Sequence, residues 1–453
     1  MIAQHIFREY DIRGTVGNEL TADTAFLLGR GFGTHVKNKY GTRVTVGGDV
    51  RISTPMLQKA FIDGLMACGI SVIDLGATPT PAQYFSIQHL QADAGVQITG
   101  SHNPPEFNGF KMTSKTGSIF GDEITTIKNI IIHETFAEGK GAYVSKDILS
   151  SYCQAIVDRC DFKRRLKVVL DAGNGAAALV LQRIFEQLNV DAEYLFAEPD
   201  GTFPNHHPDP TVPENLKDLV AKVKESNADM GIGFDGDADR LGVVNPAGDI
   251  IWGDKLMILY AREIIARRGN VPIVFDVKCS QSLAEEVAKA GGTPVMWKTG
   301  HSLVKQKMKE LQSPLGGEMS GHIFFADEYY GYDDALYAAA RTIRLMANSN
   351  QTIDEMLADI TPYQASPEIR LNCSNDEDKF AIVAAAKAYY SATEKVIDVD
   401  GVRIIYPYGW ALVRASNTQP VIVVRFEAQS AERLAAIREA VLDKLRTFGT
   451  FTL

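Results

Sequence analysis

The sequence is short of cysteine, of long apolar runs and of clustered positive charge, and each shortage removes a class of protein. Its five cysteines (Cys68, Cys153, Cys160, Cys279 and Cys373) are scattered and odd in number, so they do not read as a disulfide framework. Cys153 and Cys160 lie seven apart in a helical stretch, a core spacing rather than that of a zinc knuckle. No apolar run approaches the ~20 residues of a membrane span, and no membrane partner is expected. The N-terminus "MIAQHIFREYDIRG" lacks the basic-then-apolar order of a signal peptide, so a reduced, cytoplasmic location is expected. Lys and Arg number 46 against 56 Asp and Glu, for a net charge of −10. The basic residues are spread along the chain rather than gathered on one face, which argues against nucleic acid as a partner. A few local cations would still suffice for a small anionic substrate.

What is present is ordinary soluble material, 45% hydrophobic and 23% charged, in 453 residues. That is too long for one core and suggests about three domains. Three segments share one pattern. "RVTVGGDV", "LKVVLDAGNG" and "VPIVFDVKCS" are apolar strands carrying an aspartate at the C-terminal end: Asp49, Asp171 and Asp276. Each runs into a stretch of helical 3–4 periodicity ("TPMLQKAFIDGLMACG", "AAALVLQRIFEQLN", "QSLAEEVAKAGG") and then a second strand. Such units build parallel or mixed sheets between helices, with ligand-binding loops at the strand C-terminal ends. The last stretch differs: "GVRIIYP", "WALVRAS" and "VIVVRFEAQ" are linked too tightly for crossovers and predict antiparallel pairing. The expected fold class is α/β: three related mixed α/β sandwich domains plus a C-terminal α+β domain. The boundaries are read as 1–146, 147–249, 250–361 and 362–453.

Four segments carry candidate chemistry. In "GIGFDGDADRLGVV" the carboxylates Asp235, Asp237 and Asp239 alternate with Gly236 and Ala238, so a curled loop can turn all three inward. Anions that close repel unless a cation neutralises them. An EF-hand is excluded, because Arg240 and Pro246 stand where glycine and glutamate are required. The embedded G-x-G-x-x-G has no helix after it to receive a pyrophosphate. Magnesium between these aspartates and a phosphate is the sharper reading, with Arg240 beside it to hold that phosphate. In "TGSHNPPEFNGFK", Ser101 is accompanied by His102, Asn103 and Lys111 on a loop stiffened by Pro104 and Pro105. There is no G-x-S-x-G elbow, so acyl transfer is not indicated, whereas a hydroxyl facing a magnesium site is placed to carry phosphate. "GGEMSGH" offers Glu318, Ser320 and His322 at a spacing suited to vicinal sugar hydroxyls, and Lys278 and His301 stand upstream at strand ends. "RASNTQP" supplies Arg414, Ser416, Asn417 and Thr418, a natural phosphate cradle.

Together, in this order and over the whole chain, these loops resemble the α-D-phosphohexomutase family. "GEMSGH" with "RASNTQP" is most similar to its bacterial phosphomannomutase/phosphoglucomutase branch. Glucosamine-phosphate mutases usually carry Gln where Met319 stands, and Gly100 replaces a common alanine. The resemblance implies four domains around a central cleft, one motif from each. It implies Ser101 as the phosphoserine and a ligand of one magnesium ion together with Asp235, Asp237 and Asp239. Glu318 and Ser320 would read sugar hydroxyls, and the Arg414 loop would grip the phosphate that does not react. Tyr10, Arg13, Lys111, Arg240, Lys278, His301 and His322 match positions lining the family's site.

The implied reaction interconverts hexose 1-phosphate and hexose 6-phosphate, of mannose, glucose or both. It passes through phospho-Ser101 and a hexose 1,6-bisphosphate that also serves as activator. Lys111, His301 and His322 are the candidates for general acid and base. The two half-reactions present the sugar in opposite orientations, which favours a hinged fourth domain. A phosphoglucosamine mutase is the alternative, followed by a magnesium-dependent sugar phosphatase and a non-catalytic sugar-phosphate-binding protein. A monomer is expected, with a dimer as the other possibility.

Overall fold

Residues 43–77 fold as their pattern requires, into the strand Arg43–Gly48, the helix Thr54–Ala67 and the parallel strand Ser71–Ala77. The computed structural model describes residues 2–416 and 420–452, so Asn417 and Thr418 of the predicted phosphate cradle lie outside the described residues. The chain divides into two units, Met1–Gly253 with Ser320–Met356, and Asp254–Met319 with Leu357–Leu453.

In the first unit one sheet runs in the order Ile12–Thr15, Phe107–Ser114, Ala94–Ile98, Arg43–Gly48, Ser71–Ala77, Tyr143–Ser145. The first three strands are antiparallel and the last four parallel. Because Gly48 pairs with Ile98 in a parallel register, the segments after these two residues leave the same sheet edge side by side. Asp49 is thereby brought to the serine loop. The helices Ala22–Lys39 and Thr54–Ala67 cross against the sheet with Leu28, Phe32, Phe61 and Leu65 in the core. They approach closely because Gly29 and Gly64 meet there; a Cβ on either would stand 2.2 Å from a backbone oxygen of the other helix.

The second sheet of this unit runs Ile250–Ile251, Leu241–Val244, Met230–Phe234, Leu166–Asp171, Val190–Leu195. Its last three strands are parallel, and the Met230–Phe234 strand returns antiparallel as Leu241–Val244. The helix expected from "AAALVLQRIFEQLN" is much shorter: a 3-10 turn, Ala176–Leu179, and one short helix, Leu181–Phe185. Val180, at φ −134° and ψ −15°, interrupts the run. Residues after the second unit's insertion return to the first with the helix Ala335–Ala347. That helix is capped by Asp334, whose side chain accepts from Tyr337 N.

In the second unit Pro272–Asp276 lies between Thr293–Trp297 and Leu315–Gly317, all parallel. The helix Gln281–Lys289 follows in the expected place, and a further helix, His301–Leu311, begins at the predicted site residue His301. The C-terminal sheet is antiparallel, with the three predicted strands Val402–Tyr406, Gly409–Ala415 and Val421–Ala428 at its centre. The short strands Gln364–Ala365, Ile369–Asn372 and Lys395–Ile397 extend it. Buried Arg403 fastens this sheet to its neighbour, donating to Val277 O and Cys279 O at 2.7 Å each. Its guanidinium lies 3.6 Å from the Trp410 ring centre. No helix among the described residues is long and apolar enough to cross a membrane.

Candidate active site

The serine loop connects the antiparallel strands Ala94–Ile98 and Phe107–Ser114, and its tip holds Ser101 at φ +49°. A non-glycine residue in the left-handed region costs on the order of 1 kcal/mol, so surrounding bonds must hold it there. Ser101 N donates to Thr99 Oγ1 at 2.8 Å. Its hydroxyl donates to Asp235 Oδ2 at 3.2 Å and lies 3.2 Å from His102 Nδ1. Desolvation, reinforced by Arg240, Arg13, Lys111 and His322, holds the His102 imidazole well below the usual histidine range. Lys111, expected on the loop, stands instead on the following strand, opposite Gln97. The alternation of "FNGFKM" continues the hairpin, which sends its side chain inward.

Asp235, Asp237 and Asp239 occupy the turn between Met230–Phe234 and Leu241–Val244, all fully buried. Asp235 Oδ1 accepts from the backbone N–H groups of Asp239 and Arg240, which curl the turn. Lys111 Nζ bridges the other two, 2.7 Å from Asp237 Oδ2 and 2.5 Å from Asp239 Oδ2. Thr80 also donates to Asp237 Oδ2. Burial and the neighbouring carboxylates push Asp235 well above the usual range. Burial alone would raise Asp237 too, but Lys111 outweighs it and holds that carboxyl low. Lys111 pays the converse: desolvation would lower it, and the three aspartates raise it instead.

One lysine does not balance three buried carboxylates. Asp237 Oδ1 and Asp239 Oδ1 are buried and accept no hydrogen bond among the described residues. One oxygen from each of the three aspartates falls within a span of 4.8 Å. An all-oxygen set of this kind, beside a hydroxyl, fits a hard divalent cation such as magnesium.

A second group, Asp239, His322 and Asp333, is equally close together, but its chemistry is different. Arg240 Nε donates to His322 Nε2 at 2.8 Å, so the ring's lone pair faces the guanidinium and its proton sits on Nδ1. That nitrogen lies 3.3 Å from Asp333 Oδ2 and 3.5 Å from Asp239 Oδ1. Carrying the proton, it has no lone pair to offer a metal. Arg13, on Ile12–Thr15, pairs with Asp11 Oδ2 at 2.6 Å, and half-buried Tyr10 precedes the strand.

The boundary between the two units falls inside "GGEMSGH": Glu318 belongs to the second unit, Ser320 and His322 to the first. Ser320 is half-buried in a turn. In the second unit buried Glu318 accepts from Gly300 N at 2.6 Å, next to His301 at the start of its helix. Lys278 lies 3.4 Å from Glu368 and 3.9 Å from Asp276. Arg414 Nε donates to Asp400 Oδ2 at 2.9 Å, which also accepts from Thr299 N. Ser416 N donates to Val421 O at 3.0 Å.

Sequence reasoning assigned no role to Thr80, Thr99, Asp333, Glu368 or Asp400; Thr80 meets Asp237 157 residues along the chain, and Glu368 meets Lys278 90 residues away. It singled out the strand-end aspartates only as a pattern. Each of them pins a loop. Asp49 accepts from Thr99 and Gly100 N, and Asp171 accepts from Gly173 N and pairs with His206. Asp276 accepts from Thr299 and Met319 N.

Comparison with known proteins bears on all four sheets. Phosphoglucomutase/phosphomannomutase alpha/beta/alpha domain I matches residues 4–138, domain II 150–248, domain III 252–363, and the C-terminal domain 368–444. A phosphomannomutase/phosphoglucomutase of Pseudomonas aeruginosa is 44% identical over 97% of this chain and 95% of its own. A phosphoglucomutase of Neisseria meningitidis is 40% identical over 96% of each. The crystal structure of a phosphoglucomutase/phosphomannomutase family protein from Burkholderia thailandensis superposes with a TM-score of 0.94 at 41% identity, covering 100% of both chains.

Proposed function

We infer that this chain, which belongs to the phosphoglucomutase/phosphomannomutase family, interconverts hexose 1-phosphate and hexose 6-phosphate with phospho-Ser101 as the phosphoryl carrier. Relatives carry the names of both the mannose and the glucose activity, and both sugars are proposed as substrates. The observation that carries the reading is the Ser101 hydroxyl, 3.2 Å from Asp235 in a trio of buried aspartates.

In the first half-reaction the bond from phosphorus to Ser101 Oγ breaks as one forms to the free sugar hydroxyl, whose proton goes to a base. The product is a hexose 1,6-bisphosphate. After it turns over, Ser101 Oγ takes the other phosphoryl group, and the departing sugar oxygen regains a proton. Such transfers depend on alignment and on stabilising charge over the phosphoryl oxygens. Asp235, Asp237 and Asp239, with the serine phosphate, would hold magnesium, which when bound neutralises that charge. Lys111 and Arg240 supply further positive charge. Lys111, His301 and His322 are the candidates for moving the proton. Tyr10, Lys278, Glu318, Ser320, Arg414 and residues 416–418 are assigned to recognition of the sugar phosphate, and Arg13 to the catalytic group.

The test is the mass of the protein and its peptides after incubation with magnesium and glucose 1,6-bisphosphate. One phosphate on Ser101, with Ser101→Ala losing most activity while still binding hexose phosphate, is expected. Unphosphorylated protein that takes up none and releases inorganic phosphate would overturn the carrier role.

A further inference from the structure

The reacting serine is strained, and something must hold its loop in place. Arg51, next to the strand-end Asp49, reaches into the loop with a fully buried guanidinium. Its Nη2 donates to Ser101 O at 2.8 Å and Asn103 O at 2.6 Å, and its Nη1 to Pro104 O at 2.6 Å and Phe107 O at 3.0 Å. Nε donates to Asp49 Oδ2 at 3.1 Å. Asp49 accepts in addition from Arg51 N, Thr54 Oγ1, Thr99 Oγ1 and Gly100 N. A further loop carbonyl, that of His102, accepts from His207 Nε2. Phe203 closes over the guanidinium, 5.1 Å from ring centre to Cζ.

We propose that Arg51 is the positioning residue of the phosphoryl carrier, collecting four loop carbonyls onto one cation so that Ser101 is held in its left-handed conformation facing Asp235. The proposal rests on the phosphoserine reading. Two physical consequences bear on transfer. Carbonyl oxygens turned onto the guanidinium are turned away from the dianionic phosphate that Ser101 would carry. The planar five-donor fork also fixes several points of the loop at once, which a lysine ammonium with three donors cannot do. Among the described residues Arg51 makes no hydrogen bond to Asp235, Asp237 or Asp239. It acts on alignment, where a shift of about 1 Å costs on the order of 100-fold in rate.

The experiment compares full-length wild type, Arg51→Lys and Thr99→Val. Each is measured for kcat, KM and rate of Ser101 phosphorylation by glucose 1,6-bisphosphate. The control is Arg341→Lys, which alters an equally buried arginine of the same unit paired with Asp327 at 2.8 Å. Expected are a kcat and a phosphorylation rate down by ~100-fold in Arg51→Lys, with KM within about threefold. Thr99→Val, which removes the bond to Ser101 N and one donor to Asp49, should move the same way and decides the matter if Arg51→Lys does not fold. Arg341→Lys should lower the melting temperature and leave kcat alone. Wild-type kcat in Arg51→Lys, or in Thr99→Val if only that folds, overturns the proposal, as does an equal loss of kcat in Arg341→Lys. If wild type itself takes no phosphate on Ser101, the phosphoserine reading fails and this proposal with it, an outcome told apart by the wild-type arm alone.

Discussion

Lys111 is a single positive charge set between Asp237 and Asp239, with Asp235 close by. Removing one partner of a buried ion pair leaves uncompensated charge and typically costs ~3–5 kcal/mol. Lys111→Met should therefore lower the melting temperature sharply. Because the trio fits a divalent cation, magnesium should recover more stability in the variant than in wild type, where the lysine already neutralises part of the charge. The measurement is thermal unfolding of both proteins with and without magnesium, which needs no turnover. Equal magnesium effects in the two would count against the trio as the metal site.

Asp334 shows an element acting through its cap. It begins the helix Ala335–Ala347, and its carboxylate accepts from Tyr337 N, Tyr152 and Tyr329 at 2.9 Å each. Burial outweighs these bonds and raises its pKa from 3.8 to about 6. Between those values the folded state binds a proton that the unfolded state has lost, so this group's contribution falls as pH rises through that window. It then levels off with a penalty of about 3 kcal/mol. Asp334→Asn keeps the cap and does not titrate. Relative to wild type it should gain roughly that much between about pH 3.5 and 7, read from urea midpoints. A constant difference across pH would refute this.

The elements themselves were legible wherever a strict period ran into a turn signal. The three strand–helix–strand units and the central C-terminal strands stand where alternation and 3–4 spacing put them. The helix after Asp171 was overread because "AAALVL" is an unbroken apolar run, whose pattern could not report the break at Val180. Ser101 and the aspartate trio were legible because their company is local. Arg51 was not, since the carbonyls it binds lie 50 or more residues away and carbonyls leave no mark in a sequence.

At the scale of the molecule, the two units are not two stretches of chain. The chain passes between them after Gly253, after Met319 and after Met356. Ser320–Met356 returns to the first unit a helix that is buried along most of its length and the acceptor for the Tyr152 hydroxyl. A fragment ending at Gly253 should thus lack a cooperative melting transition, as followed by circular dichroism. A sharp transition near the wild-type temperature would show that the returning segment is dispensable.

The same interruption sets an order of events during synthesis. At roughly 5–20 residues per second, the ribosome takes on the order of 5 to 20 seconds to make the 103 residues from Asp254 to Met356. Through that interval the nascent first unit waits with an apolar face uncovered while the inserted strands emerge. The covalent path thus leaves burial in the first unit to be finished only when the helix Ala335–Ala347 arrives.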